Sequence, residues 1–304
     1  MSVGAIAKWI DQAEKNGKNV VLSISRDGVS FCIAPYGYFE MEAVATLSVS
    51  VFSESNRIGT VYLAATPQEN QTQLSDNLAS LLSSVVRTCG EKILKIAYVT
   101  DAGIIETAYW KTTLRKFYVD GQRIKIDRTV DYYHARLRLT AIPDSLKLDE
   151  KAQQHWLENA HKLQLLEGGW GRVMRSIDKM KEPHGLKASS VDEFKKAEKY
   201  QRGYRRYMNY AEQRGHGCPI GSGIAELACK QIVPERMKLS GMRWKHTGAR
   251  QIMTLRSILL SQTWIEIYAF RLSSLYMPNS PHESTSLPSQ SPDRTLERLS
   301  LGEI

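Results

Sequence analysis

The alternation of apolar and polar positions predicts strands in the first part of the chain. Five short runs rich in apolar and β-branched residues have the pattern of β-strands. They are 19–25, 42–52, 57–66, 92–100 and 124–130. Three further segments have the apolar spacing of helices. They are 3–15, 71–86 and 108–119. The first part of the chain is therefore predicted to be an α/β unit.

The order of these elements predicts a mixed sheet. Three strands that are separated only by short connections form an antiparallel meander. The later alternation of strand and helix requires parallel strands with crossover helices. A mixed five-stranded sheet of this order, with flanking helices, is the plan of the ribonuclease-H-like fold. In that plan the fourth strand lies beside the first, so acids at the ends of these two strands are expected to meet.

The strand pattern stops near residue 141. Residues 141–215 contain charged, helix-like segments, which predict an all-helical insertion between the core regions 1–140 and 216–275. The second core region is expected to carry the last catalytic helix, followed by a long helix over about 247–272. The Ser- and Pro-rich tail at 276–304 has the composition of a disordered segment.

Charge and cysteine content narrow the class of protein. The net charge of +9 over 304 residues makes a polyanion a candidate partner. The four cysteines, Cys32, Cys89, Cys218 and Cys229, form no CxxC pair and indicate no disulfide framework. A zinc site that combined His216 with two of them would lack a fourth ligand. The chain shows neither a secretory leader nor a run of about 18 apolar residues, so a cytoplasmic protein without a membrane span is expected.

Two acids follow strands that should be neighbours. Asp27 follows the first predicted strand and Asp101 follows the fourth. A single aspartate at a strand end is usually a turn or capping residue. Asp131, after the fifth strand, is the alternative to Asp101, but it is expected instead to cap the helix that begins YYHA. In that helix, His134 is expected to pack or to lie on the surface rather than to approach a substrate phosphate.

A third acid, Glu226, lies in the segment GSGIAELACKQIV. This segment predicts a helix with an apolar face formed by Ile224, Leu227, Ala228 and Ile232. Ser222 is its predicted N-cap, and Glu226 then falls in the first turn, where the helix dipole favours the ionised carboxylate. The alternative interpretation is a surface glutamate that pairs with Lys230 at i+4.

Together these acids predict a site for divalent cations. Asp27, Asp101 and Glu226 offer the oxygen ligands that Mg²⁺ or Mn²⁺ prefers, and such a set can hold two ions about 4 Å apart. That chemistry suits phosphodiester bonds. Acyl transfer would instead require a Ser-His or Cys-His pair. The three acids are therefore the predicted catalytic and metal-binding residues.

A basic stretch follows the third acid. Residues 226–256 contain seven cations and two acids. Five of these cations are predicted to contact DNA phosphates: Lys230, Arg236, Lys238, Arg243 and Lys245. Trp244 is expected to pack rather than to stack on bases. The same expectation applies to the i, i+4, i+7 series Tyr200, Tyr204 and Tyr207.

These motifs resemble one known family. The segment PIGSGIAELACKQIV, then ERMKLSGMRW, Gly248-Ala249, Leu255-Arg256 and Ser261-x-x-Trp264, resembles the C-terminal block of bacterial insertion-sequence transposases of the Kra type. VDYYHA at 130–135 is also similar to a motif of that family. The resemblance covers roughly 1–272 and is most specific over 217–264.

The resemblance implies a specific activity. It implies a DDE transposase with a ribonuclease-H-like core, whose catalytic triad would be Asp27, Asp101 and Glu226. The reaction would be Mg²⁺-dependent phosphoryl transfer, with cleavage at transposon ends followed by strand transfer into target DNA. The implied partners are double-stranded DNA and further copies of the chain bound to it. The implied location is the bacterial cytoplasm, with the nucleoid when DNA is bound.

Two features depart from the family pattern. The second acid is followed by Ala-Gly, where the family order is Gly-Ala. The first strand begins at residue 19, whereas such transposases carry a large N-terminal region that usually includes a DNA-binding helix-turn-helix. A catalytic domain without its recognition domain is therefore expected. Two alternatives remain open: an inactive remnant that binds DNA without specificity, and a ribonuclease-H-like nuclease with a cellular role.

Overall fold

A computed structural model gives the fold. It describes residues 2–34, 37–51, 54, 56–66, 72–160, 167, 170–181 and 188–276. Apart from Tyr276, the tail predicted to be disordered lies outside these residues. No helix in the described part of the chain has both the length and the apolarity that crossing a membrane requires.

Within the described residues, seven strands form two sheets. The strands are β1 (Val20–Ile33), β2 (Gly37–Val51), β3 (Arg57–Ala64), β4 (Ile93–Thr100), β5 (Tyr118–Val119), β6 (Gln122–Arg123) and β7 (Asp127–Val130). The main sheet has the order β3-β2-β1-β4-β7, and β5 and β6 form a separate hairpin. In the main sheet β1–β2 and β2–β3 are antiparallel, whereas β1–β4 and β4–β7 are parallel. The predicted mixed five-stranded sheet is confirmed, and the fourth strand lies beside the first.

The described part of the chain also forms helices, some of which cover this sheet. They are α1 (Ser2–Lys15), α2 (Thr72–Cys89), α3 (Ile104–Thr112), α4 (Tyr132–Ser145), α5 (Glu150–Ala160), α6 (Trp170–Lys181), α7 (Ala188–Tyr204), α8 (Tyr210–Gly215), α9 (Gly223–Ile232), α10 (Pro234–Met237), α11 (His246–Leu260) and α12 (Trp264–Tyr276). Helices α4 to α8 follow β7 along the chain, and a second hydrophobic core forms where α4 packs against α7.

The two faces of the sheet are covered by different helices. Helices α1 and α2 bury Ile10 and Leu78 in a core that includes Leu47 of β2. Helices α9 and α11 bury Ile232 and Met253 against Val44 of the same strand. Side chains alternate between the faces of a strand, so residues 44 and 47 point to opposite sides. Helix α9, which carries Glu226, is thereby fixed on the face opposite to α1.

The first strand does not end where the sequence pattern predicts. It continues beyond Asp27 to Ile33, and its pairing with β2 shifts between Asp27 and Gly28. A shift of this kind is a β-bulge, which bends the strand and changes the direction of the neighbouring side chains. Asp27 is therefore a bulge residue within a long hairpin strand rather than the last residue of a short strand.

Two predicted helices have different bounds. The segment 108–119 is only partly helical: α3 ends at Thr112, and the chain then forms the β5–β6 hairpin, whose turn residue Asp120 has a φ of 49°. The long helix predicted over 247–272 is divided into α11 and α12. Gln262 has a φ of 55° between them, a left-handed conformation that interrupts a right-handed helix.

Candidate active site

Three carboxylates from separate elements converge near the point where the parallel pairing of β1 with β4 ends. Asp27 lies at the bulge of β1, Asp101 directly follows β4, and Glu226 lies in the first turn of α9. The negative charges of Asp101 and Glu226 both raise the pKa of Asp27, after the larger effect of burial. The structure thus brings the three predicted acids within electrostatic range of one another. Their role as metal ligands stays a prediction.

The Asp27 carboxylate is held by two donors. The backbone N–H of Gly28 donates to Asp27 Oδ1 at 2.8 Å, and the Cys229 thiol also donates to this carboxylate. Both hydrogen bonds oppose the upward shift of the Asp27 pKa that burial causes. Cys229 is buried and lies three residues after Glu226 on α9. One helix therefore supplies an acid to the site and a hydrogen bond that orients the acid of β1.

The loop after β4 presents the Asp101 carboxylate. The backbone N–H of Gly103 donates to Asp101 Oδ1 at 2.9 Å. Ala102 has a φ of 68°, a left-handed conformation that glycine adopts far more easily. A side chain at Gly103 would collide with Glu106 and approach Asp101. The order Asp-Ala-Gly therefore places the alanine where the backbone is strained and the glycine where space is lacking.

A fourth carboxylate, Glu106, belongs to the same environment and was not predicted. It lies in the first turn of α3 and is buried, and burial raises its pKa. The charges of Asp101 and Asp27 raise this pKa further, while Arg26 lowers it. Arg26 is fully buried and its guanidinium lies 4.1 Å from the Tyr109 ring centroid. In the sequence, the available signal for a nearby acid was a cation, Arg26, placed directly after the apolar run 19–25.

Asp131 is occupied by structural hydrogen bonds. Its Oδ1 accepts from the backbone N–H groups of Tyr133 at 2.7 Å and His134 at 3.0 Å, so it caps α4 as predicted. Its Oδ2 accepts from the backbone N–H of Ser222 and from the Ser222 hydroxyl. Burial alone would raise the pKa of Asp131, but hydrogen bonds from His134 and Ser222 outweigh it and lower the pKa to about 2.

Ser222 has a different role from the predicted one. It stands at the N-cap position of α9, but its hydroxyl donates to Asp131 at 2.7 Å and makes no capping hydrogen bond. This contact ties the start of α9 to the start of α4. The backbone supports the same junction, because Tyr132 N–H donates to the Ile220 carbonyl at 2.8 Å. The position of Glu226 therefore depends on Asp131, which accepts four hydrogen bonds at this junction.

His134 lies half-exposed on α4 beside the acids, a contact that the sequence did not predict. Its Nδ1 is 3.4 Å from Asp131 Oδ1 and 3.8 Å from Glu226 Oε1. The Asp131 carboxylate raises the pKa of His134, and the charges of Asp101 and Glu226 add to this shift against the effect of burial. Ligand atoms of Asp131, His134 and Glu226 lie within 4.8 Å of one another. The sequence gives no signal for this contact, because it depends on how α9 docks on α4.

The orientation of α9 also differs from the prediction. Its buried residues are Ala225, Ala228, Cys229 and Ile232. Leu227, which was expected on the apolar face, is 47% exposed. The helix is therefore rotated towards Cys229, which brings that thiol to Asp27. Glu226 is only partly buried and lies beside His134 rather than beside Lys230, the i+4 partner of the alternative interpretation.

The five predicted DNA-binding cations are all exposed. Lys230 lies on α9, Arg236 lies on α10, and Lys238, Arg243 and Lys245 lie in the connection to α11. This connection is attached to the end of β1 by Trp244, whose carbonyl accepts from Ala34 at 2.8 Å. The Trp244 indole donates to the Met237 carbonyl at 3.0 Å and packs in the adjacent core, as predicted.

Another cation of the basic stretch is structural. Arg256 donates to the Gln231 carbonyl and to Glu235 at 3.2 Å, so it joins α11 to α9 and α10. Its side chain is largely buried, in contrast to the five exposed cations. The exposed cations that remain for a polyanion run from Lys230 to Lys245 and include Arg250 on α11.

The donor chemistry of the converging acids fits a hard divalent cation. Asp27, Asp101 and Glu226 offer carboxylate oxygens, and burial, followed by the charges of the other two acids, raises the pKa of Asp27. Asp131 fits less well, because each of its carboxylate oxygens already accepts two hydrogen bonds. Mg²⁺ and Mn²⁺ are the ions that such an oxygen-rich set prefers.

Comparison of the sequence with protein-family models gives no match, and comparison with curated proteins gives none either. The resemblance to insertion-sequence transposases therefore rests on the motifs of this chain alone.

Proposed function

We propose that this chain is the catalytic domain of a DDE transposase with a ribonuclease-H-like core. The observation that carries the proposal is the convergence of Asp27, Asp101 and Glu226 from two adjacent parallel strands and a separate helix. Hydrolysis at a transposon end, followed by attack of the new 3′-hydroxyl on target DNA, requires one site that serves both phosphoryl transfers. A compact set of carboxylates beside an exposed basic surface meets that requirement.

In this proposal the three acids hold Mg²⁺ or Mn²⁺. Bound ions of this kind activate the attacking oxygen and stabilise the leaving oxygen of a phosphodiester. The chain's own groups orient the ligands: Gly28 and Cys229 donate to Asp27, and Gly103 donates to Asp101. Glu226 is held in the first turn of α9, whose start is tied to α4 by the contact between Ser222 and Asp131.

The DNA would lie along the exposed cations Lys230, Arg236, Lys238, Arg243 and Lys245. Phosphate contacts supply affinity without sequence information, and they suit both transposon ends and arbitrary target DNA. Cleavage and joining of two ends also imply that more than one copy of the chain assembles on the DNA. The helices between β7 and α9 would then be an insertion in the catalytic core.

A nicking assay tests the proposal. The purified chain should nick supercoiled plasmid in the presence of Mg²⁺ or Mn²⁺ and be inactive with a chelator. Asp27→Asn and Glu226→Gln should each abolish the activity. The matched controls are Asp120→Asn and Glu235→Gln, which alter exposed acids in the β5–β6 turn and on α10. Cleavage by both active-site variants at the wild-type rate would contradict the proposal.

DNA binding provides an independent test. If about five cations meet phosphates, the logarithm of the association constant should fall with the logarithm of salt concentration with a slope of roughly −4 to −5. Arg236→Ala combined with Lys238→Ala should reduce the magnitude of this slope by about 2. The control pair Lys8→Ala and Lys15→Ala changes exposed cations on the opposite face and should leave the slope unchanged. Equal slopes for both double variants would exclude this DNA path.

A further inference from the structure

Two tyrosine hydroxyls of α7 reach the loop that carries Asp101. The Tyr200 hydroxyl donates to the Asp101 carbonyl at 3.2 Å, and the Tyr204 hydroxyl donates to the Ala102 carbonyl at 3.2 Å. The two tyrosines are four residues apart, so they lie one above the other on the same side of the helix. Side chains from two successive turns of α7 therefore donate hydrogen bonds to two successive carbonyls of the loop.

This loop has a conformation that needs external support. Ala102 has a φ of 68°, which an alanine adopts only at a free-energy cost. Within the loop, the Gly103 N–H donates to the Asp101 carboxylate, and the Thr107 hydroxyl lies 3.4 Å from the Ala102 carbonyl. Among the described residues, the Tyr200 hydroxyl is the side-chain group that donates to the Asp101 carbonyl. The tyrosines thus add two contacts to a loop that is strained at its centre.

The tyrosine rings are themselves fixed. Their centroids lie 5.0 Å apart, the Arg138 guanidinium lies 5.7 Å from the Tyr200 ring, and that of Arg128 lies 5.6 Å from the Tyr204 ring. Arg128 is buried in β7. Burial also raises the pKa of Tyr200, so its hydroxyl keeps the proton that it donates. These contacts therefore hold the two tyrosine rings, and with them the donor hydroxyls, in position.

We propose that Tyr200 and Tyr204 are positioning residues, which hold the loop so that the Asp101 carboxylate faces Asp27. This inference rests on the proposed role of Asp101 as a metal ligand. It gives the helical region between β7 and α9 a function, because α7 would set the geometry of the second acid. Packing alone would require the aromatic rings but not the hydroxyl groups, so removal of the hydroxyls distinguishes the two roles.

The test uses Tyr200→Phe, Tyr204→Phe and the double variant in the full chain. Each substitution keeps the ring and removes only the hydroxyl, so folding should be preserved. The matched control is Tyr210→Phe. Tyr210 is a buried tyrosine of the same core, and its hydroxyl makes no hydrogen bond among the described residues. It should leave the Asp101 loop unchanged.

Two measurements report on the loop. Hydrogen exchange of the Gly103 amide, followed by NMR without metal, should accelerate about fivefold in each single variant, the factor expected for one ordinary hydrogen bond. Mn²⁺ affinity, followed by electron paramagnetic resonance, should fall by about the same factor. In an Asp101→Asn background the hydroxyl removals should cause no further loss of Mn²⁺ affinity, because they act through Asp101.

The outcomes separate this inference from the proposed function. Unchanged Gly103 exchange and Mn²⁺ affinity in the double variant would overturn the positioning role, as would an equal loss of affinity with and without the Asp101 carboxylate. Asp101→Asn with the affinity of the wild type would instead contradict the proposed metal site. In that case Gly103 exchange would still decide whether the hydroxyls hold the loop.

Discussion

The ends of β4 and β7 lie side by side in the main sheet, and each is followed by an aspartate with a different fate. Among the described residues, the Asp101 carboxylate accepts one backbone hydrogen bond, from Gly103. The Asp131 carboxylate accepts four, from Tyr133, His134 and both donors of Ser222. Asp131 is therefore committed to the fold, whereas Asp101 accepts fewer hydrogen bonds and is the acid that we propose as a metal ligand.

The same contrast is present in the electrostatics. Burial, with the charges of Asp101 and Glu226, raises the pKa of Asp27, so ionisation of Asp27 disfavours the folded protein. Hydrogen bonds from His134 and Ser222 lower the pKa of Asp131 to about 2 despite its burial, so its ionisation stabilises the fold. These carboxylates thus divide into the set that we propose to bind a cation and a residue, Asp131, that ties α4 to α9.

Substitution of the two kinds of acid should show the largest difference in stability. Asp131→Ala removes a helix cap and leaves the buried donors of Ser222 unpaired, which should lower the free energy of unfolding by about 3 kcal/mol. Asp27→Asn should leave it unchanged or raise it, because a repulsive charge is removed. Urea denaturation measures both values. A loss below about 1 kcal/mol in Asp131→Ala would contradict the structural role assigned to the hydrogen bonds of Asp131.

Acid should reduce the difference in stability between the wild type and Asp131→Asn. The pKa of Asp131 is about 2 in the folded chain against an ordinary value of 3.8, so its stabilisation is present above pH 4 and is lost as the pH falls towards 2. The difference in unfolding free energy should shrink by about 2 kcal/mol between pH 5 and pH 2. Asp27 has the opposite sign, because protonation relieves its burial. A difference that stays constant over this range would contradict the assigned contacts of Asp131.

A smaller effect is expected at the strained residue beside Asp101. Ala102→Gly should stabilise the chain by up to about 1 kcal/mol, because glycine adopts the positive φ of 68° without the steric cost that alanine has. Lys147→Gly is the matched control, since Lys147 also has a positive φ, of 53°, and lies on the surface away from the acids. Thermal unfolding compares the two variants. Destabilisation by Ala102→Gly with stabilisation by the control would show that the Ala102 methyl group matters more than the strain.

The sequence predicted the parts of the site that depend on local pattern. The runs that became β1 and β4 implied adjacent strands, and the glycine-flanked segment implied a helix with Glu226 in its first turn. Asp131 was recognised as a cap because its spacing to the YYHA helix is local. These features follow from strand order, helix geometry and capping rules, which act over a few residues.

The parts that were missed depend on contacts between distant segments. Ser222 has the sequence context of a cap, but Asp131 draws its hydroxyl away, 91 residues from it in the chain. His134 meets Glu226, and Cys229 meets Asp27, only because α9 is rotated from the face that its apolar pattern indicated. The bulge at Asp27 likewise depends on pairing with β2. Periodicity carries no information about such docking.

Mn²⁺ titration followed by electron paramagnetic resonance tests which residues bind the metal. Glu226 belongs to two candidate ligand groups, one with Asp27 and Asp101 and the other with Asp131 and His134. The wild type, Asp27→Asn and His134→Gln should be compared at neutral pH. We expect at least a tenfold loss of affinity in Asp27→Asn, since a carboxylate ligand is removed, and little change in His134→Gln. Loss of binding in His134→Gln with wild-type affinity in Asp27→Asn would instead place the metal with Asp131 and His134, and Asp27 would not be a ligand.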